Sequence, residues 1–133
     1  MGGLEVAAPQ IELILARSLA AHLSVAAFLV DADCRIVYFN EAAELLLGCA
    51  FEDYPSLGAE DLIEMLDPRD EQGQRVSADA MPLPRALVQQ RPSHLHASSG
   101  RDGGKRYVAT AVPFIAPDGI AIGAMLFWYE EKA

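Results

Sequence analysis

The stretch VAAFLVDADCRIVYFNEAAELLLG, residues 25–48, combines two apolar runs, a polar turn and the start of a helix. The runs 25–31 and 35–40 are rich in β-branched and aromatic residues, and a short polar segment separates them, which predicts a β-hairpin. Asn40 is a favourable N-cap for the helix that follows, and Gly48 is a natural helix stop. The stretch therefore predicts two antiparallel strands that lead directly into a helix.

The second of these strands has apolar residues on both of its faces. In a regular strand, successive side chains point to opposite sides of the sheet. One face would hold Ile36, Tyr38 and Asn40, and the other would hold Val37 and Phe39. We therefore expect this part of the sheet to be covered on both sides.

Three further segments have helical patterns. Residues 9–23 carry apolar side chains at spacings of three and four along one stripe, and Pro9 suits a first helical turn. Residues 59–66 predict a short helix, and residues 81–90 predict a helix that begins at proline. The polar, turn-rich segment 67–82 between these two helices is expected to be mostly irregular.

The last third of the chain contains three strand candidates, residues 94–98, 105–115 and 120–129. The turn-rich segments SGRDGG and APDG join them, so consecutive strands should pair antiparallel. Together with the hairpin they predict an α+β fold, with one five-stranded antiparallel sheet, helices on one face and an N-terminal flanking helix.

Composition and charge disfavour several classes of protein. The chain has 133 residues, 52% of them hydrophobic, which suits one compact domain. Its net charge of -9 opposes binding to nucleic acid and to anionic membranes, so neither is expected as a partner. The longest apolar stretch, 120–129, is too short to span a bilayer. Two cysteines, Cys34 and Cys49, are too few for a secreted disulfide framework, so we expect a cytoplasmic setting.

The order of these motifs resembles that of PAS domains. In that family an apolar strand, Asp, a turn, a second strand, Asn and an Ala-rich helix follow one another, as they do in residues 25–48. The segments QGQRV, MPLPRAL, GGKRYVATAVPF and DGIAIGAMLF resemble the second half of the family, so the likeness covers residues 24–130. We therefore divide the chain into an amphipathic flanking helix, 1–23, and a PAS domain, 24–133.

The resemblance implies a sensory or signal-transduction module and not an enzyme. PAS domains enclose a small apolar cavity that holds a ligand or cofactor in some members. Two departures from the family pattern are visible: Cys34 lies where the first hairpin commonly has Gly, and the chain ends in WYEEKA where Asp-Ile-Thr is common. Either the domain acts on a separate signalling effector protein, or the sequence is a piece of a larger protein.

Neither haem nor photoactive flavin is expected as a cofactor. Haem-binding relatives usually supply an axial histidine from the helix that here reads PLPRALVQQ, which contains none. A photoactive flavin site needs cysteine in an Asn-Cys-Arg motif, whereas Cys49 follows the end of a helix too early in the chain. His94 and His96 share a strand face, but no third ligand is near them in sequence, so no metal site is predicted.

A small-molecule site would draw on residues from several elements. The candidates are Phe28, Tyr38, Asn40, Leu46, Leu66, Leu87, Tyr107, Ala109 and Phe127. Because polar groups are few among them, an apolar or weakly polar ligand fits best. The alternative is that these residues fill a close-packed core, and that the protein is a ligand-free adaptor that binds a partner.

A homodimer is the expected assembly, because many PAS domains pair through a flanking helix. The segment 9–23 would match that helix and pack on the outer face of the sheet. The interface candidates are Ile11, Leu15, Leu19, Val37 and Phe39.

Overall fold

One antiparallel sheet organises the chain in the computed structural model, which describes residues 8–53, 57–100 and 103–131. The strands are β1 Ala26–Asp31, β2 Ile36–Phe39, β3 Pro68–Arg69, β4 Ser93–Ser99, β5 Arg106–Ile115 and β6 Ala121–Glu130. Their order across the sheet is β2-β1-β6-β5-β4-β3, and every neighbouring pair is antiparallel. The α+β fold and the antiparallel sheet are confirmed. The two-residue β3, in the segment expected to be irregular, makes the sheet six-stranded instead of five-stranded.

The helices follow the capping signals of the sequence. They are α1 Ala8–Ala21, α2 Glu41–Leu47, α3 Ala59–Leu66 and α4 Pro82–Gln89, with short 3-10 turns at Phe51–Asp53 and Ala78–Ala80. The Asn40 side chain accepts a hydrogen bond from the backbone N–H of Ala43 at the start of α2. Gly48 ends α2 in the left-handed conformation, with a φ of 75°, which glycine adopts at little cost.

Apolar side chains pack on both faces of the sheet. On the inner face, α2, α3 and α4 cover a core that includes Phe28, Leu62, Leu83 and Leu126. On the outer face, α1 packs on β1, β2 and β6 and forms a second, smaller cluster. The sheet is therefore covered on both sides near β2, as the apolar faces of that strand predicted. None of the described helices is long and apolar enough to cross a membrane.

A β-bulge interrupts the alternation of side chains along β2. Leu29 of β1 pairs with Tyr38. The next residue of β1, Val30, pairs with Ile36, which leaves Val37 as the extra residue on β2. A bulge of this kind shifts the register, so that residues before and after it no longer follow a period of two.

The bulge makes the predicted assignment of faces wrong at Tyr38 and Phe39. Tyr38 lies on the outer face beside α1, whereas Phe39 lies in the inner core and is 1% exposed. Ile36 also lies in the inner core, three residues before Phe39. Regular alternation would have placed Tyr38 with Ile36 and turned Phe39 outwards.

Candidate functional site

A cavity of about 590 Å³ opens on the inner side of the sheet. Its walls come from the β1–β2 turn, the first two turns of α3, the 3-10 turn Ala78–Ala80 and the start of α4. Leu126 of β6 supplies the surface of the sheet at this point. Residues 33–35, 58–63 and 78–84 and Leu126, which are distant from one another in sequence, therefore meet around one space.

The floor of the cavity is apolar and buried. Leu62 of α3, Leu83 of α4 and Leu126 of β6 are all exposed by 3% or less, and Met81 is exposed by 4%. Leu62 and Leu83 lie on the sheet-facing sides of their helices and belong to the inner core. A ligand that reached this floor would replace water with apolar contacts, which favours the apolar part of a molecule.

The rim of the cavity is charged. The carboxylates on the rim belong to Asp33, Glu60, Asp61 and Asp79, and the guanidinium of Arg35 is the cation there. All of these residues are exposed. The site thus combines an apolar interior with a rim that carries more negative than positive charge.

Cys34 reaches the cavity from the tight turn of the first hairpin. Its φ is 63°, a conformation that L-residues other than Asn and Asp rarely adopt. The turn is held by Asp31, whose Oδ1 accepts hydrogen bonds from the backbone N–H groups of Asp33 and Arg35 at 2.9 and 3.0 Å. Burial, together with the negative charge of Asp31, raises the pKa of the Cys34 thiol. The raised pKa opposes formation of the reactive thiolate.

A second space of about 580 Å³ adjoins the first along the outer edge of β2. Arg35, Gly58 and Asp61 line both spaces. Gly58 forms an isolated bridge with Arg35, and the Leu57 carbonyl accepts a hydrogen bond from the Ile36 N–H at 2.9 Å. Leu57 and Gly58, just before α3, therefore protect the edge of β2.

None of the nine predicted ligand residues lines the cavity beneath α3 and α4. Six of them pack in the inner core: Phe28, Leu46, Leu66, Leu87, Tyr107 and Ala109. Tyr38 and Phe127 lie on the outer face, in the cluster with α1, so their predicted inward placement is wrong. The apolar periodicity of the sequence located the core, whereas the cavity rim consists of charged turn residues that carry no such signal.

Asn40 is fully buried, but its polar atoms are already used. Its Nδ2 donates towards the carbonyls of Ala20, Leu23 and Val25 at 3.0, 3.3 and 2.8 Å. Its Oδ1 accepts from the backbone N–H of Ala27 at 3.1 Å and from that of Ala43. The side chain therefore joins the end of α1, the start of β1 and the start of α2.

Trp128 is a buried aromatic residue, 2% exposed, that carries one polar side-chain atom. Its ring is stacked on Tyr107, with centroids 5.0 Å apart and the ring planes at 27°. Its Nε1 is the one buried side-chain nitrogen or oxygen of the described residues that lacks a hydrogen-bond partner. Trp128 lies on the inner face of β6, two residues beyond Leu126 of the cavity floor.

The α1 helix has two apolar faces. One face, with Ala16 and Ala20 buried, packs against the sheet. The other presents Ile14, Leu15 and Leu19, which are 60%, 64% and 59% exposed.

The five residues predicted for a dimer interface are therefore dispersed. Leu15 and Leu19 are exposed, and Val37 packs against α1 of its own chain. Phe39 lies in the inner core, so its predicted position at an interface is wrong. The side chain of Ile11 lies outside the described part of the structure.

His94 and His96 lie on β4 and are exposed. The Nδ1 of His94 lies 3.0 Å from Oγ1 of Thr110, and the Nδ1 of His96 lies 3.6 Å from a carboxylate oxygen of Glu131. Within the described ranges, no group of three or more His, Cys, Asp or Glu side chains is arranged to hold a metal ion.

Several solved structures share this architecture at low sequence identity. The PAS domain of Bordetella pertussis BvgS has a TM-score of 0.61 and 14% identity, over 92% of this chain and 87% of that one. A sensory box sensor histidine kinase from Vibrio cholerae has a TM-score of 0.61 and 20% identity, over 92% and 94%. The phage VqmA–DPO complex has a TM-score of 0.61 and 12% identity, over 90% of this chain and 53% of that one. These likenesses show the fold.

The sequence itself places the chain in a family. No curated protein matches it at a significant level. The family model described as PAS fold matches residues 20–130, which is most of the chain and includes every strand of the sheet. The chain therefore belongs to the PAS fold family.

Proposed function

We propose that this PAS domain is a sensory module that binds a small molecule in the cavity beneath α3 and α4. The observation that carries the proposal is the cavity itself, about 590 Å³ in volume, with a buried apolar floor from three separate elements. Ligand pockets in proteins span roughly 300–1,000 Å³ and are mainly apolar, with a few polar groups that orient the ligand. The volume and the lining both suit a small organic ligand.

The strand beneath the cavity offers a route by which binding would affect α1. Leu126 faces the cavity, and its neighbour Met125 packs on the opposite side of β6 in the cluster with α1. A ligand that displaced the floor would therefore shift a strand on which α1 rests. Packed interfaces tend to switch between discrete arrangements. A small displacement of β6 can therefore change the position of α1 on the sheet.

The test is to purify the full chain, denature it and identify small molecules in the extract by mass spectrometry. Ala78→Trp would fill the rim, because Ala78 lines the cavity but is exposed. Val88→Trp, at an α4 position that is 82% exposed, is the matched control. A retained molecule that is lost in Ala78→Trp and kept in Val88→Trp supports the proposal. An empty wild-type protein that also binds nothing in a metabolite screen contradicts it.

A second candidate function is self-association through α1. The exposed apolar face of Ile14, Leu15 and Leu19 favours it, because contiguous apolar patches commonly mark interaction sites. Leu15→Asp would place a charge in a desolvated interface and should convert a dimer to a monomer. Leu45→Asp, at a leucine on α2 that is 78% exposed, is the control.

Light scattering over a range of concentrations measures this effect. A dimeric mass that falls only in Leu15→Asp supports pairing through α1. A monomeric wild-type protein, or a dimer that Leu15→Asp leaves intact, contradicts it.

A further inference from the structure

We propose that the ligand of the cavity is an amphipathic cation, with an apolar body and a protonated amine. This inference rests on the proposed function, and it names the chemical class of the molecule bound. It also departs from the apolar or weakly polar ligand that the sequence analysis suggested. The reason lies in the distribution of charge between the rim and the floor.

The rim carboxylates come from three separate elements. Asp33 lies in the β1–β2 turn, Glu60 and Asp61 lie in the first turn of α3, and Asp79 lies in the 3-10 turn before α4. They converge on the opening of the same cavity, where Arg35 supplies one opposing charge. The N-terminus of α3 adds a partial positive charge that offsets only part of the carboxylates.

Most of these carboxylates have no cationic partner of their own. In the described part of the chain, the side chains of Asp33, Glu60 and Asp79 take part in no salt bridge. Asp61 accepts a hydrogen bond from the Gly58 N–H at 2.9 Å, and this donor is neutral. A bound ammonium group would therefore find acceptors whose charge is not already paired.

The apolar floor of the cavity favours an uncharged, apolar group at the inner end of the ligand. Leu62, Leu83 and Leu126 present no polar side-chain atoms, so a charge at that depth would be desolvated without compensation. A molecule with one charged end must then keep that end at the rim. A carboxylate there would meet like charges, whereas an amine would meet opposite ones.

The expected preference for an amine over an uncharged ligand is moderate, because the rim is exposed to water. Ion pairs in such surroundings are weak and are screened by salt, over about 10 Å at 0.1 M and about 3 Å at 1 M. We therefore expect an amine to bind about twofold to fivefold more tightly than an alcohol of the same length at low salt. The difference should nearly disappear at about 1 M NaCl.

The test compares octylamine, octan-1-ol and octanoate on the full chain at pH 7, by amide chemical-shift titration. The three probes share an apolar tail and differ in the charge of the head group. The variant Glu60→Gln with Asp79→Asn removes two rim carboxylates. The control variant Glu52→Gln with Glu130→Gln makes the same change in net charge at exposed positions that do not line the cavity.

The inference requires octylamine to bind best, and its advantage over octan-1-ol to fall in the rim variant but not in the control. Equal binding of the three probes, or tightest binding of octanoate, would overturn the inference and leave the cavity as a ligand site. Failure of all three probes to shift residues of the cavity would overturn both the inference and the proposed function.

Discussion

The side-chain amide of Asn40 donates a hydrogen bond to the backbone carbonyl of Ala20 at 3.0 Å, across twenty residues of sequence. Asn40 also caps α2, and Ala20 lies in the last turn of α1. One buried side chain therefore links the end of α1 to the start of α2. Any rearrangement that releases α1 must break this bond or move Asn40 with it.

Replacing Asn40 with Asp should destabilise the domain by about 2–4 kcal/mol. The substitution preserves the Oδ1 acceptor for the N–H groups of Ala27 and Ala43, but it places an oxygen where Nδ2 now faces backbone carbonyls. Urea unfolding followed by circular dichroism measures the loss. Hydrogen exchange should also become faster in α1.

Glu41→Gln is the control for charge at the start of α2, because Glu41 is exposed in the first turn of that helix. It should change stability by less than about 0.5 kcal/mol. A stability of Asn40→Asp equal to that of the control would show that the buried bonds contribute little.

The bulge on β2 predicts unequal costs for truncating two adjacent aromatic residues. Phe39→Ala should lower the free energy of unfolding by about 3–5 kcal/mol, because it leaves a cavity in the inner core. Tyr38→Ala should cost about 1–2 kcal/mol, because Tyr38 is only partly buried against α1 and the Arg17 guanidinium, which lies 4.6 Å from its ring. Chemical denaturation of both variants measures the difference. A larger cost for Tyr38→Ala would contradict the bulge.

Because the backbone of Cys34 is left-handed, we expect glycine to be more stabilising than alanine at this position, the reverse of the usual order. Alanine is normally more stabilising than glycine, because it restricts the unfolded chain. At a φ of 63°, glycine avoids a strain of about 1–2 kcal/mol that alanine keeps. Cys34→Gly should therefore be more stable than Cys34→Ala by about 1 kcal/mol in urea unfolding.

Cys49 provides the comparison, because it is not among the described residues with positive φ. At that position Cys49→Ala should be at least as stable as Cys49→Gly. The same order at both positions would show that the turn at Cys34 carries no strain.

Asp67 predicts a specific dependence of stability on pH. Hydrogen bonds from the Arg69 side chain, both at 3.0 Å, hold the pKa of Asp67 below its usual value, and the charges of Arg69 and Arg75 act in the same direction. A lowered pKa stabilises the fold at pH values above the unfolded pKa of about 3.9. This contribution is lost as the pH falls through the lower pKa of the folded state.

Asp67→Asn tests this, because asparagine tolerates the φ of 47° while removing the charge. The wild type should be the more stable protein from pH 5 to pH 7, by an amount that shrinks below about pH 4. Urea unfolding at several pH values measures both proteins, with Glu52→Gln as an exposed control. A difference that stays constant down to pH 2.5 would contradict the role of the Asp67 charge.

The sequence predicted the inventory of elements well and the faces of one strand poorly. The hairpin, α2 and the three long carboxy-terminal strands follow from periodicity, turn residues and caps such as Asn40, all of which act over a few neighbouring positions. The bulge at Val37 has no comparable local signal. It becomes visible only when β2 pairs with β1, and it moves Tyr38 and Phe39 to opposite faces.

The candidate site was the least predictable part. Its rim joins residues such as Asp33, Glu60 and Asp79, which belong to three turns or helix starts and look in sequence like ordinary solvated surface.

Apart from the two-residue β3, the amino-acid order was thus sufficient for the type and succession of the helices and strands, because helices, hairpins and caps depend on short-range patterns. The position of the cavity, the charge gathered at its opening and the bond from Asn40 to Ala20 required the folded chain. Each of them depends on groups far apart in sequence, whose proximity arises only when the sheet and its helices have packed together.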